Sequence, residues 1–81
     1  MNVEWLPQAL KEMAKLDVPV QDRIIAAANR YAEQCHGDIR RVKVAGGLAL
    51  RVGKWRVFFD PPEDDVIRFT AVRLRDKAYK K

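Results

Sequence analysis

The sequence predicts an α+β domain, with two N-terminal antiparallel helices packed on one face of a small antiparallel sheet. Three observations predict it. Apolar residues recur at helical spacing as far as residue 36. From residue 38 onward the period changes to two. Turn residues bound each alternating run: Ala45-Gly46-Gly47, Gly53-Lys54, and Pro61 to Asp65.

The elements follow in order. "MNVEW" reads as a short first strand, and Pro7 suits the first turn of a helix. Ala9, Leu10, Met13 and Leu16 share one face of that helix, and "LDVP" breaks it. Val20, Ile24, Ala27, Ala28, Tyr31 and Cys35 form the apolar stripe of a second helix, which Gly37 ends. Cys35 and both tryptophans, Trp5 and Trp55, read as core. His36 reads as a helix C-terminal residue favoured by the dipole.

The strand registers can be set by their turns. A two-residue turn at 53–54 pairs Val52 with Trp55, Arg51 with Arg56 and Leu50 with Val57. A five-residue loop at 61–65 pairs Phe59 with Ile67, Val57 with Phe69 and Trp55 with Ala71. A three-residue loop at 45–47 pairs Val44 with Leu48 and Lys43 with Ala49. All three leave one apolar face for the helices. The opposite face then carries Arg41, Lys43, Arg51, Arg56, Phe58, Arg68 and Thr70.

Bulk composition bounds the rest. The 81 residues make one domain, 1–81, with 48% apolar and 33% charged residues, so the chain is globular. A chain this size buries only about 60–65% of its unfolded surface, so its core is modest. The single cysteine excludes an internal disulfide and fits a reducing cytoplasm. No stretch approaches the roughly 18 apolar residues of a membrane span, and the N-terminal stretch lacks a signal peptide's apolar run. Residues 1–36 hold four Lys or Arg against five Asp or Glu, a net of −1. Residues 37–81 hold twelve against six, a net of +6. A basic second half fits a polyanion or an acidic protein partner.

The basic face sharpens that expectation. Arg51 directly across from Arg56 is a like-charge pair, which destabilises adjacent strands. An anion between them reverses the sign, because arginine binds phosphate bidentately. Phe58 would offer a surface on which a base stacks. No catalytic triad, P-loop or metal-ligand cluster is visible, "DPPEDD" reads as a solvated turn, and no cofactor or metal is expected.

"LRVGKWRVFFD", then "VIRFTAV", then "RLRDKAY", resembles the RelE/ParE superfamily of bacterial and archaeal toxins. "EWLPQALKEMAKL" is similar to its first helix, and "RIIAAANRYAEQCHGDIRRVK" to its second helix running into a strand. The resemblance spans nearly the whole chain. It implies the toxin of a type II toxin–antitoxin pair, with a cognate acidic antitoxin as partner. RelE-like members cut mRNA in the ribosomal A site as ribosome-dependent endoribonucleases, whereas ParE-like members poison DNA gyrase. Carried over residue by residue, it implies Arg56 and Arg75 on the scissile phosphate and Tyr79 as proton donor or stacking ring. RNA contact falls to Arg41, Lys43, Arg51, Lys54, Phe58, Arg68 and Lys77. The chain departs from the pattern at Gly47 and Ala49, where strong mRNA cutters carry basic residues. In the expected register Lys43 sits beside Ala49 and supplies the missing cation; Lys54 is a second candidate. A non-catalytic binder that blocks translation is the remaining alternative.

Overall fold

The computed structural model describes residues 1–42 and 47–74. Five strands and two helices follow in the order β1 (Asn2–Trp5), α1 (Pro7–Met13), α2 (Val18–Gln34), β2 (Asp38–Arg41), β3 (Leu48–Val52), β4 (Trp55–Phe59) and β5 (Val66–Leu74). The strands form a single sheet in the order β1-β5-β4-β3-β2. Proline opens both helices, where its missing N–H costs nothing. The α+β class holds, with one correction to the sheet. The strand read at "MNVEW" forms ahead of the helices, as expected, but the sheet is mixed rather than antiparallel, because β1 runs parallel to β5 with Asn2 opposite Val66 and Trp5 opposite Phe69. Alternation shows that a segment is a strand, but not which edge it joins or in which direction.

The main core lies between the helices and one sheet face. Ala9 and Met13 of α1 and Ile24, Ala28 and Ala32 of α2 close over Leu50, Val52, Val57, Phe59, Ile67, Phe69 and Val72. Trp5 stacks on Phe69 at 4.6 Å, and Phe59 meets Phe69 edge-on at 5.6 Å. Such ring pairs contribute about 0.5–1.5 kcal/mol each beyond their burial. Trp5 and Trp55 pack against this core, as expected.

The end of α2 differs from expectation. Cys35 takes the left-handed cap itself (φ 56°), its N–H donating to the Tyr31 carbonyl at 2.8 Å. Its side chain is therefore exposed rather than in the core, and His36 lies beyond the helix. Gly37 has a different task. A Cβ there would lie 2.8 Å from Cδ1 of Leu50, so a larger residue would push the tip of that side chain aside where the chain enters β2.

The central hairpin forms as read, with Val52 opposite Trp55, Arg51 opposite Arg56 and Leu50 opposite Val57. Gly53 supplies the positive φ (61°) of the turn's first central position. The other two registers differ. β2 pairs Asp38 with Arg51, Ile39 with Leu50, Arg40 with Ala49 and Arg41 with Leu48. That is three residues from the expected pairing, and an odd shift turns every side chain to the other face. In β4–β5 a bulge separates Phe59 opposite Phe69 from Phe58 opposite Ala71, Val57 opposite Val72 and Trp55 opposite Leu74. Thr70 is the extra residue, and its hydroxyl is buried without a hydrogen-bond partner among the described residues. Beyond the bulge Val72 joins the helix-side core, while Ala71 crosses to the other face. The hairpin preceding β5 also closes more tightly than expected, by a Glu63–Val66 bridge with Asp64 and Asp65 at positive φ.

Candidate functional site

The bulge and the β2 register together compose the face turned away from the helices. The result is a row running across four strands: Asp38 of β2, Arg51 of β3, Arg56 of β4 and Arg73 of β5. Directly opposed residues place their Cβ atoms about 5 Å apart, so three arginine side chains leave the sheet from one narrow strip. The central one, Arg56, is only 3% exposed on the face expected to bind an anion.

A carboxylate stands at each end of the strip. Asp38 receives Arg40 Nε at 3.1 Å and lies 3.5 Å from Arg51 Nε. Glu12 of α1 receives Arg73 Nε at 3.1 Å. Arg73 is thus hydrogen-bonded through Nε, the atom nearest the stem, and Arg51 approaches Asp38 with the same atom. The terminal Nη pair is the other bidentate edge of a guanidinium and can take a phosphate.

The next row along the sheet is Arg40, Ala49, Phe58 and Ala71. Phe58 is completely buried, with Ala49 and Ala71 on either side and Val42 against them. The small neighbours make a slot for the ring. Phe58 is therefore the centre of a second apolar cluster under this face, not an exposed stacking surface. Ala49 is buried with it, so its side chain is part of that cluster.

Each expected site residue can now be placed. Arg51 and Arg56 are brought together. Arg41 is not: it shares the helix-side orientation of Leu48 and Ile39, and Arg40 takes its place beside Ala49. The expected pairing of Lys43 with Ala49 is overturned by the same shift. Arg68 lies on the same face but apart, its carbonyl receiving the Asp60 N–H four residues from Arg56 along β4, roughly 13 Å away. It is bound to Glu4 at 2.9 Å. Lys54 is exposed in the turn next to the Arg51–Arg56 pair. Lys43, Arg75, Lys77 and Tyr79 lie outside the described residues. Arg73 was missed by sequence reasoning, because its place opposite Arg56 depends on the bulge. No group of three or more potential metal ligands occurs among the described residues. No described helix is long and apolar enough to cross a membrane.

No protein-family model and no curated protein sequence matches the chain. Solved structures do. The RelB–RelE antitoxin–toxin complex of Methanococcus jannaschii aligns over 94% of this chain and 94% of that one, at 18% identity and a TM-score of 0.72. The RelE–RelB complex of Pyrococcus horikoshii aligns over 91% and 93%, at 18% identity and a TM-score of 0.74. The RelBE2 toxin–antitoxin complex of Mycobacterium tuberculosis aligns over 91% and 96%, at 19% identity and a TM-score of 0.70. The fold is that of the RelE toxins, in agreement with the resemblance carried by "LRVGKWRVFFD".

Proposed function

We propose that this chain is the toxin of a type II toxin–antitoxin pair and that it stops translation by cutting mRNA in the ribosomal A site. One observation carries the RNA reading: Arg51, Arg56 and Arg73 stand side by side across three strands, with the buried Arg56 in the middle of the row. Like charges held this close favour an anion among them, and a phosphodiester fits the planar guanidinium fork. Cleavage through the 2′-OH develops negative charge on the phosphoryl oxygens, which a fixed arginine strip stabilises. Arginine stays protonated and cannot be the base. The resemblance assigns proton transfer to Tyr79 and a second phosphate contact to Arg75. The chain's net charge of +5 and the toxin–antitoxin complexes among its structural neighbours support an acidic antitoxin as partner.

A second reading, a non-catalytic ribosome or RNA binder, draws on the buried Ala49. Where strong cutters place a cation, this face has an apolar cluster. Cell-free translation followed by primer extension on the mRNA separates the readings. Ribosome-dependent, codon-phased cuts that vanish in Arg56→Ala support cleavage. Blocked protein synthesis on intact mRNA supports the binder. Normal synthesis moves the target to DNA gyrase, to be read in a supercoiling assay.

A further inference from the structure

β1 reaches only Phe69 of its partner strand, and Leu6 N–H donating to the Phe69 carbonyl at 3.0 Å is its last bond there. Beyond that point β5 presents a bare edge on the β1 side among the described strands. Unpaired edge N–H groups cost stability if left dry. Helix α1 answers this with one side chain. Glu12 Oε1 accepts the Val72 N–H at 2.9 Å, and Glu12 Oε2 accepts Arg73 Nε at 3.1 Å. The carboxylate is 19% exposed and the arginine 46%. Glu12 is held from the other side as well, since Ala9 and Met13 anchor the same short helix in the core.

We propose that Glu12 is a positioning residue for Arg73: it fixes the guanidinium at its Nε so that the terminal nitrogens face the phosphate strip, and it sets how strongly the strip attracts phosphate. The proposal rests on the phosphate-binding reading of the arginine row. It follows from the division of labour within one carboxylate. Oε1 locks the backbone of residue 72, and Oε2 locks the side chain of residue 73, so strand and arginine are fixed in one frame. The negative charge also offsets part of Arg73's own attraction for RNA. Orientation and affinity are therefore set against each other in a single residue.

The test is Glu12→Gln in the full-length protein. The glutamine carbonyl can still accept the Val72 N–H, but its NH2 cannot accept from Arg73. Binding of a fluorescein-labelled single-stranded oligoribonucleotide is followed by anisotropy at several salt concentrations. Affinity is expected to rise about two- to fivefold, the range of an exposed ion pair. The dependence of log affinity on log salt should steepen by up to about 0.7, the value for one phosphate contact on a single strand. The maximal mRNA-cutting rate should fall about tenfold or more, as misplacement of a binding group does. In an Arg73→Ala background, Glu12→Gln should change neither quantity. A variant that lowers binding, cutting and melting temperature together would show a merely structural role and overturn the proposal. So would an unchanged affinity, or an effect that persists without Arg73. If the wild-type protein binds RNA but cuts no mRNA, the cleavage reading falls, and the binding comparison still decides the role of Glu12. Wild-type protein that binds no RNA overturns both.

Discussion

Replacement of Phe58 distinguishes a core ring from a base-stacking ring. The side chain is fully buried between Ala49 and Ala71. Truncating a buried phenylalanine to alanine costs about 3–5 kcal/mol. A domain of 81 residues has about 4–12 kcal/mol of total stability at the usual 0.05–0.15 kcal/mol per residue. Each kcal/mol moves the melting temperature of so small a domain by about 4–8 °C. Phe58→Ala should therefore lower Tm by roughly 12–40 °C, measured by circular dichroism, and leave the weaker preparations partly unfolded. Phe58→Leu provides the functional arm. It keeps most of the apolar volume, costs about 1–2 kcal/mol and stays folded at low temperature. It removes any stacking surface just as completely. A stacked base is worth about 1–3 kcal/mol, so a stacking role predicts an RNA affinity loss of roughly 5- to 150-fold. The buried ring predicts a loss of less than about twofold in the folded protein, within the precision of anisotropy titrations. A Phe58→Leu protein with an unchanged Tm and a fivefold weaker affinity would refute the burial account.

Three further outcomes are expected. Gly37→Ala brings a methyl group to within 2.8 Å of Cδ1 of the buried Leu50, whose side chain must shift to take it; the cost should be about 1 kcal/mol in a urea titration. Arg68→Ala should change RNA affinity less than about twofold, because Arg68 is paired with Glu4 away from the arginine row, whereas Arg73→Ala should weaken binding by about tenfold, in the range of a lost charge-assisted contact. Cys35→Gly should raise Tm by a few degrees, since glycine takes the left-handed cap without the steric cost a Cβ brings there, about 0.5–1 kcal/mol.

Much of the fold is legible in the chain because it rests on local rules. Helical spacing, proline at the start of the first helix, and the Gly53-Lys54 turn are each decided within a few residues. The Arg51–Arg56 pairing follows from that turn alone. Resemblance in the "LRVG" segment added the family fold, which the solved structures share.

The composition of the candidate site was settled elsewhere. Which cations meet on the open face depends on a three-residue register difference in β2 and on one unopposed residue, Thr70, in β5. Local alternation is equally satisfied by either register, since each leaves apolar and polar residues alternating. The choice is made by burial across strands: Gly37 must close on Leu50, Phe58 needs small residues on both sides, and Val72 must reach the helices. Those choices are tied to contacts between residues far apart in the chain, 60 positions in the Glu12–Val72 bond. The sequence by itself thus determined two helices, five strands and an arginine-bearing hairpin. Only tertiary packing decided that Arg73 replaces Arg41 among the clustered cations, that Phe58 is core, and that Glu12 reaches the end of the arginine row. Register and bulges are energies of the whole sheet, not properties of any one strand.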